Sequence, residues 1–400
     1  MRTILHYFRR LLVVFLKLIL TFIPKDKNLI LFSAWFGKKY ADSSMYEYEY
    51  FLKKSYYKPY WFTRSKKIYK ELKAKDMPVL YSKTIKAIWF QIRAKVLITA
   101  VQTDDFNPYF YRNCICIDLD HGFVIKQVGF KIPSISKRYI EFRHLLWWGM
   151  DFRLSAPTDY NRKAIEDSFG VNKIQIIKCN KPRTDALFDI ELQKGKNEIV
   201  ERIKCGRKAI VWMPTHRSSG KRHLDVAKLL DLDKIQALCQ ERNIVFIIKK
   251  HFYHRMEKCN LDKYPNIFDI TSENIDSQII LVQADALISD YSASYIEYLS
   301  LDRPILLYAF DKDDYLAHER GLYMRFEDNT AGEIVETKEA LVKSIKRICD
   351  DWYDTSYANG RANARNLYFD TSVKPGEYRE QFKKIVDKLI AGTYKPEWHE

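Results

Sequence analysis

Cysteine, glycine and proline are all scarce in this chain. Its 400 residues include 7 Cys, 13 Gly and 12 Pro, which excludes collagen-like and low-complexity proteins. The cysteines are an odd number and stand singly, apart from Cys114 and Cys116. This is not the spacing of a disulfide framework, so we expect reduced thiols and a cytoplasmic protein. The Cys114/Cys116 pair lies in an apolar run without a second pair, which indicates core cysteines and not zinc ligands.

The signatures of several large enzyme classes are also missing. The chain contains no P-loop, no GxGxxG fingerprint, no GxSxG nucleophile elbow and no HExxH helix. These absences argue against P-loop NTPases, dinucleotide oxidoreductases, α/β-hydrolases and zincins. No nucleic-acid-binding module is recognisable either.

Acidic residues are fewer than basic residues in this chain. Asp and Glu total 51 against 67 Lys and Arg, which gives a net charge of +16 at pH 7. A strongly basic protein is expected to meet an anionic partner. Because no nucleic-acid module is present, we expect no nucleic acid as partner and favour an acidic lipid surface or a phosphorylated substrate.

The amino terminus carries the longest apolar run, Leu11–Ile23, which follows Arg9 and Arg10 and contains Lys17. It is shorter than the roughly 20 residues needed to span a bilayer, and no small-residue cleavage site follows it. We predict that residues 1–25 form an amphipathic helix on the anionic inner surface of the membrane, with its apolar face toward the lipid and its basic residues at the headgroups. The protein would then be peripheral, at the cytoplasmic face of a bacterial cell membrane. The alternative is a helix packed against the body of the protein.

Short apolar runs alternate with charged helical stretches along the rest of the chain, a pattern typical of parallel sheets with crossover helices. The predicted strands of a first series are Leu29–Ala34, Tyr60–Thr63, Val79–Tyr81, Val96–Thr99, Cys114–Asp118, Phe152–Ala156 and Lys173–Ile177. Those of a second series are Ala209–Met213, Ile244–Ile248, Ile267–Ile270, Ala286–Ser289 and Ile305–Tyr308. We therefore predict an α/β protein of two doubly wound, Rossmann-like domains, 26–192 and 193–372, facing a cleft. A C-terminal helix and tail, 373–400, would follow.

Polar residues follow three strands of the second series. Thr215, His216 and Arg217 come after the first of them, and Lys250 and His251 after the second. Ser289 and Asp290 end a later strand, and Ser292 and Ser294 follow in a hydroxyl-rich turn. Ser294 with Glu297 has the spacing of a capping box, which predicts a helix start. Ligands bind at the carboxyl ends of strands in such sheets, so these residues predict a diphosphate site.

A candidate general base lies in the first series, in Asp118-Leu-Asp-His-Gly122. His121 follows a predicted strand, and the ordinary pKa of a histidine lies near working pH, as a general base requires. Gly122 permits close approach of a substrate to the backbone. Asp118 and Asp120 also resemble the metal-binding Asp-x-Asp of nucleotide-sugar enzymes, although strand alternation alone produces that spacing. Further on, Lys181-Pro-Arg-Thr-Asp185 predicts a structural turn or a phosphate contact.

Taken together, these motifs resemble the CDP-glycerol glycerophosphotransferase family, membrane-associated enzymes that build teichoic acids and some capsule polymers. The similarity runs from about Leu29 to Glu333 and is strongest in residues 284–332, where Ala284–Ser294, Asp302–Tyr308, Asp311–Tyr315 and Arg320–Tyr323 keep the family's order. The segment Asp120–Gly122 with Lys126 is similar to the family's His-Gly-Thr-Pro-Leu-Lys element. Phe123 and Val124 replace its Thr-Pro, and Phe252 replaces a Pro after His251.

The resemblance implies a GT-B fold and transfer of glycerol or ribitol phosphate from a CDP-polyol to a lipid-linked or membrane-bound glycan, with release of CMP. It implies no cofactor and no metal. The implied catalytic residues are His121, Arg217 and His251. The implied donor-binding residues are Thr215, Lys250, Ser289, Asp290, Ser292, Ser294, Arg320 and Gly321. The implied acceptor-side residues are Gly122, Lys126, Arg183 and Asp185. Two alternatives stay open: a GT-B glycosyltransferase using a nucleotide sugar, and a non-catalytic scaffold of envelope assembly.

Overall fold

The computed structural model describes residues 2–101, 103–132, 135–189, 198–217, 222–251, 260–273, 275–319 and 321–398. The chain folds into two compact units, each built on a parallel sheet. Unit 1 contains residues 1–121, 129–185 and 377–400, and unit 2 contains residues 122–128 and 186–376. The predicted α/β class with two parallel sheets is therefore confirmed.

Unit 1 has a seven-stranded sheet in the order β3-β2-β1-β4-β5-β6-β7. Its strands are β1 (Asp26–Phe32), β2 (Lys58–Thr63), β3 (Val79–Tyr81), β4 (Ala94–Thr99), β5 (Ile115–Asp118), β6 (Asp151–Ala156) and β7 (Ile176–Lys178). Its helices up to residue 169 are α1 (Arg2–Thr21), α2 (Asp42–Lys54), α3 (Lys66–Ala74), α4 (Ile85–Arg93), α5 (Lys137–Trp147) and α6 (Asp159–Phe169). The central strands are buried on both faces because helices cover the sheet, which explains their continuous apolar runs.

Unit 2 has a six-stranded sheet in the order β10-β9-β8-β11-β12-β13. Its strands are β8 (Lys208–Trp212), β9 (Ile244–Ile248), β10 (Ile267–Asp269), β11 (Ala286–Ser289), β12 (Ile305–Tyr308) and β13 (Glu333–Val335). Its helices are α7 (Glu198–Lys204), α8 (Val226–Leu229), α9 (Leu232–Glu241), α10 (Ser277–Gln283), α11 (Ser294–Tyr298), α12 (Lys312–His318), α13 (Lys338–Asp350) and α14 (Ala358–Tyr368). All paired strands are parallel. Strand β13 is the one that the sequence pattern did not indicate.

Both sheets reverse their strand order after the first strand of the series, between β1 and β4 in unit 1 and between β8 and β11 in unit 2. Such a switch point opens a crevice at the carboxyl ends of the strands, because the connections on its two sides run in opposite directions. The residues that follow β8 and β11 therefore occupy the ligand-binding position of a doubly wound sheet.

The division of the chain differs from the predicted one in two places. The last helix, α15 (Tyr378–Ala391), belongs to unit 1 and is not a separate tail. Residues 122–128 leave unit 1 directly after His121 and belong to unit 2. The predicted boundary at residues 192 and 193 falls in the segment 190–197, which lies outside the described residues.

Among its described side chains, helix α1 packs on unit 1 by one face. Val13, Lys17 and Leu20 are buried. The Lys17 ammonium donates to the carbonyl oxygens of Tyr111, at 2.5 Å, and of Leu146, at 2.9 Å. The prediction that the basic residues of this helix reach the lipid headgroups is wrong for Lys17, because its charge faces inward and ties the helix to the protein. Among the described residues, no helix combines the length and the apolarity needed to cross a bilayer.

Candidate functional site

The carboxyl ends of β8, β9 and β11 converge in unit 2, because these three strands are neighbours in the sheet. Backbone hydrogen bonds join the ends: Met213 N–H donates to the Ile288 carbonyl at 2.8 Å, and Lys249 N–H to the Trp212 carbonyl at 2.9 Å. The three polar strand ends predicted from the sequence thus share one edge of one sheet.

Asp290 organises this edge. Its carboxylate accepts a hydrogen bond from the Thr215 backbone N–H at 2.9 Å and one from the Arg217 guanidinium at 3.0 Å. Its side chain has no exposed surface. The Ser289 hydroxyl donates to the Met213 carbonyl at 3.1 Å. Asp290 and Ser289 therefore fix the loop after β8 against the end of β11, on both sides of the switch point.

Arg217 is completely buried between two carboxylates. Besides Asp290 it contacts Asp311, with Nε to Oδ2 at 2.8 Å and Nη2 to Oδ1 at 2.9 Å, and its Nη1 donates to the Thr215 carbonyl at 2.6 Å. The rings of Tyr291 and Tyr315 lie 5.2 and 4.8 Å from the guanidinium carbon. In this conformation Arg217 positions the surrounding loops, and its direct contact with a phosphate stays a prediction. The sequence predicts no site role for Asp311, because its contact with Arg217 joins residues 94 positions apart in the chain.

A pair of histidines follows β8 and β9. The rings of His216 and His251 have centroids 4.7 Å apart. Beside them Lys250 is almost fully buried, with its ammonium 3.3 Å from Asp269 and its backbone N–H donating to the Thr271 hydroxyl at 3.0 Å. Lys250 is thus held by an acidic neighbour, whereas His251 is partly exposed beside the loop that carries Thr215.

The turn between β11 and α11 is stabilised differently from the prediction. Helix α11 begins at Ser294, and Ala293 in the capping position makes no side-chain capping bond. The Ser292 hydroxyl instead accepts hydrogen bonds from the Ser294 backbone N–H, at 3.3 Å, and from its hydroxyl, at 2.8 Å. The Glu297 carboxylate accepts from the Gln278 amide. The predicted capping box of Ser294 and Glu297 is therefore wrong, because Glu297 faces Gln278.

The segment after His121 completes this part of unit 2. Gly122 has φ +147°, and a Cβ on it would lie 3.2 Å from the Ala293 Cβ, so only glycine fits without strain. Phe123 packs edge-on against Tyr368 and Phe369. This burial explains why an apolar residue is accommodated at position 123, where the family pattern has Thr.

Lys126 and Gln127 extend the segment. Lys126 forms a bridge with Leu322, and its ammonium lies 5.9 Å from the Tyr315 ring centroid. The Gln127 backbone N–H donates to the Gly321 carbonyl at 2.8 Å. Two motifs that are about 200 residues apart in sequence are thus neighbours in unit 2. Arg320, also predicted to bind the donor, lies outside the described residues.

His121 lies at the carboxyl end of β5 in unit 1. Its Nδ1 is 2.9 Å from Asp120 Oδ1, and about half of its side chain is exposed. Asp120 has φ +58° and accepts the His121 backbone N–H at 2.7 Å. Burial opposes protonation of the imidazole, but the charge of Asp120 outweighs it and raises the pKa of His121 to about 9. His121 is therefore mainly protonated at neutral pH in the free protein.

The buried side chain of Asp118 stabilises the same loop. Its carboxylate accepts the Asp120 backbone N–H at 3.0 Å. Burial, and then the neighbouring charge of Asp120, raise the pKa of Asp118 to about 7. Of the two carboxyl groups, Asp120 therefore carries the negative charge next to His121.

The Lys181–Asp185 turn stabilises the loop that carries His121 through hydrogen bonds. The Lys181 ammonium donates to the carbonyls of Leu119, at 3.1 Å, and Ser155, at 3.0 Å. Arg183 donates to the His121 carbonyl at 3.1 Å and pairs with Asp42. Asp185 is fully buried and accepts the Arg379 backbone N–H at 2.8 Å, where α15 begins. Arg183 thus reaches His121, while Asp185 contacts the last helix, and an acceptor contact of either stays a prediction.

Two residues near His121 were missed from the sequence. Trp35 follows β1, and its ring centroid lies 5.3 Å from that of His121. Asp42 begins α2 and accepts the Trp35 indole N–H at 2.9 Å. Both residues have positive φ, at +51° and +69°. Neither belongs to a short motif, and only the position of Trp35 after a buried strand could have suggested it.

Comparison with known proteins identifies relatives over nearly the whole chain. A family model described as CDP-glycerol:poly(glycerophosphate) glycerophosphotransferase matches residues 14–388. The teichoic acid glycerol-phosphate transferase of Staphylococcus aureus is 24% identical over 383 residues, covering 91% of this chain and 94% of that protein. The teichoic acid ribitol-phosphate polymerase TarL of the same species is 31% identical over 263 residues, covering 60% of this chain and 44% of that protein.

Solved structures show the same fold. A structure of the wall teichoic acid polymerase TagF superposes with a TM-score of 0.72 at 22% identity, covering 92% of this chain and 90% of that one. At this level of identity the likeness establishes the fold alone.

Proposed function

The chain belongs to the CDP-glycerol:poly(glycerophosphate) glycerophosphotransferase family, and from this premise we propose that it transfers a polyol phosphate from a CDP-activated donor to a hydroxyl of a teichoic-acid or related envelope polymer. The observation that carries the proposal is the edge of the unit 2 sheet, where Thr215, His251 and Asp290 follow adjacent strands at the switch point. The glycerol-phosphate and ribitol-phosphate relatives leave the choice of polyol to experiment.

In the proposed reaction, an acceptor hydroxyl attacks the β-phosphorus of the CDP-polyol. A new P–O bond forms, the P–O bond to CMP breaks, and CMP leaves with the bridging oxygen. His121 takes the proton of the hydroxyl. The side chain of His251 and the hydroxyls of Ser292 and Ser294 contact the diphosphate. Phosphoryl transfer depends mainly on positioning and on stabilisation of charge, which this basic, hydroxyl-rich set of residues supplies.

The geometry of unit 2 supports a donor site at this edge. The buried side chains of Asp290 and Arg217 hold the loop after β8 in place through hydrogen bonds. Gly122 packs against Ala293, between the two serines of the turn. We propose that the donor binds at this edge of unit 2 and that His121, at the end of β5, is the base.

We also propose that α1 rests on the anionic inner surface of the membrane. Its buried face packs on unit 1, and large apolar side chains cover its opposite face. They are Phe8, Leu11, Leu12, Phe15, Leu18 and Ile19, with Phe22 just after the helix. A helix exposing such a face on a protein of net charge +16 suits the headgroup region of an acidic bilayer.

The test is a donor panel. Purified protein is incubated with CDP-glycerol, CDP-ribitol and UDP- or GDP-sugars, with membrane-derived acceptor, and the released nucleotide is identified. We expect CMP from a CDP-polyol and strong loss of release in His121→Ala. Release of UDP or GDP from a sugar would support a nucleotide-sugar glycosyltransferase instead. No turnover together with no saturable CDP-polyol binding by calorimetry would support a scaffold.

Near-normal turnover of His121→Ala with the preferred CDP-polyol would overturn the base assignment without affecting the donor assignment. The matched control is His223→Ala, because His223 lies on the surface after the β8 loop. We expect that variant to release CMP at the wild-type rate.

A further inference from the structure

A second carboxylate, Asp42, is linked to His121 through two different partners. Asp42 forms a buried ion pair with Arg183, and its other carboxylate oxygen accepts the Trp35 indole N–H at 2.9 Å. Both partners reach His121. Arg183 donates to its backbone carbonyl at 3.1 Å, and the Trp35 ring packs beside the imidazole with centroids 5.3 Å apart. One carboxylate thus connects to both the backbone and the ring of the same histidine.

The backbone around this network is held in an unfavourable conformation. Trp35, Phe36 and Gly37 have φ of +51°, +60° and +71° in succession, and Asp42 follows with +69°. Non-glycine residues in this region cost of order 1–3 kcal/mol each and persist only where the surroundings enforce them. The enforcing contacts are specific: Phe36 N–H donates to the buried Asp105 at 2.5 Å, and the Thr63 hydroxyl donates to the Gly37 carbonyl at 3.0 Å.

We propose that Asp42 is a positioning residue for His121, and that its carboxylate joins Trp35 and Arg183 into one network that sets the orientation and the charge of the imidazole. The strained loop after β1 brings the indole to the histidine, and Asp42 holds it there. The proposal extends the proposed function, in which His121 is the base, by adding a group that acts on the base and not on the substrate.

The charges around His121 are consistent with this role. Asp120 faces Nδ1 from the same loop, Asp42 comes from α2, and Arg183 comes from the turn after β7. The backbone carbonyl of Ala100, after β4, lies 3.4 Å from Nδ1. Burial lowers the pKa of His121, while Asp120 first and Asp42 second raise it. Removing the charge of Asp42 therefore favours the neutral imidazole.

The test uses Asp42→Asn, because asparagine tolerates positive φ and keeps an oxygen that accepts the indole N–H. The titration of His121 is followed by NMR in protein labelled with ¹⁵N-histidine. The chain has nine histidines, and the signal missing in His121→Gln identifies the one of interest. We expect Asp42→Asn to lower the pKa of His121 by on the order of one unit, as loss of a nearby opposite charge does. The acid limb of kcat/KM for CMP release shifts in the same direction.

The matched control is Asp159→Asn, which removes an exposed carboxylate paired with Arg162 and Lys163 on α6 of the same unit. It should leave the His121 titration unchanged. If Asp42→Asn does not fold, Trp35→Phe removes the indole donor to Asp42 while keeping an aromatic ring beside the imidazole, and should shift the His121 resonances along the titration. A His121 titration in Asp42→Asn, or failing that in Trp35→Phe, that matches the control overturns the proposal.

The NMR titration requires neither donor nor acceptor. A lowered His121 pKa without CMP release from any CDP-polyol would therefore retain the positioning role of Asp42 and reject the proposed function. CMP release together with an unchanged His121 titration would retain the proposed function and reject the positioning role of Asp42.

Discussion

At the scale of single residues, Arg217 and His121 show two uses of a cation beside carboxylates. Arg217 is sealed between Asp290 and Asp311, and its donors are directed to protein oxygens. His121 forms its ion pair with Asp120, and about half of its side chain is exposed. The first arrangement fixes the shape of the unit 2 edge. The second leaves a titratable group accessible to a substrate.

Replacing Arg217 should therefore cost stability. Arg217→Met leaves two carboxylates in a buried site without their cation, and breaking such a pair typically costs about 3–5 kcal/mol. We expect the unfolding free energy of unit 2 to fall by that order in urea titrations. The control is Arg222→Met, which removes an ion pair between Arg222 and Asp314. Their side chains are 53% and 42% exposed, so the loss of stability should be about 0–1 kcal/mol. Equal losses in the two variants would contradict the structural role of Arg217.

The pair of His121 and Asp120 predicts a pH dependence. The folded-state pKa of His121 is raised to about 9, so the neutral form needed by a base becomes dominant only above that pH. We expect kcat/KM for CMP release to rise with pH up to about 9. Asp120→Asn removes the carboxylate and keeps the positive φ accessible, so the acid limb should move toward the ordinary histidine pKa of about 6.5. An unmoved acid limb would show that another group controls the profile.

At the scale of elements, buried strands were well predicted and contacts between distant residues were not. Runs such as Ile244–Ile248 are apolar at every position because both faces of the sheet are covered, and that pattern is local. The capping box at Ser294 failed because Glu297 had a competing partner, Gln278, in another helix. Lys17 was expected at the membrane because an isolated lysine in an apolar run resembles a headgroup contact. Its acceptors are carbonyls about 90 and 130 residues away, which the sequence does not indicate.

Helix α1 combines two faces whose roles can be separated. Lys17→Ala removes the ammonium and leaves two carbonyl oxygens without their donor. Each buried acceptor left without a hydrogen bond costs about 1–3 kcal/mol of stability. We expect faster proteolytic cleavage after α1 in this variant. Phe15→Ser with Leu18→Ser changes only exposed side chains. It should reduce sedimentation with phosphatidylglycerol vesicles and leave proteolysis unchanged.

Each variant serves as the control for the other, since one alters the face on the protein and the other the outward face. Full sedimentation of the Phe15/Leu18 variant would show that α1 is not the membrane contact. Equal sedimentation with phosphatidylcholine and phosphatidylglycerol vesicles would remove the need for an anionic surface.

At the scale of the whole molecule, the assignment of segments to units was the least predictable feature. The sequence indicated two α/β series in order, and each series does form one sheet. It did not indicate that residues 122–128 belong to unit 2, or that the last helix returns to unit 1. Both depend on packing between residues far apart in the chain. The candidate site shows the same limit: strand-end motifs can be recognised in the sequence, whereas the contacts of Trp35, Asp42 and Asp311 are visible only in the structure.

The return of α15 predicts that the C-terminal residues are needed for unit 1. Four of its apolar side chains, Phe382, Ile385, Val386 and Leu389, belong to the core that includes the central strands of the unit 1 sheet. Burying each contributes about 1.5–3 kcal/mol, or about 6–12 kcal/mol together. A domain's net stability is about 5–15 kcal/mol, so loss of this helix removes a comparable amount. We expect a chain ending at Gly376 to leave unit 1 unfolded and unit 2 folded.

Hydrogen exchange measured by mass spectrometry can follow the two units separately. In the chain ending at Gly376, amides of β1 and β4 should exchange rapidly, while those of β8 and β9 stay protected, because the core around β8 and β9 is built from residues of unit 2. A chain ending at Tyr394 keeps α15 and loses mainly Trp398, whose ring lies 5.6 Å from the Arg162 guanidinium carbon. It should retain protection in both units. Full protection of β1 without α15 would show that unit 1 folds without its last helix, and that the helix only covers a core already stable.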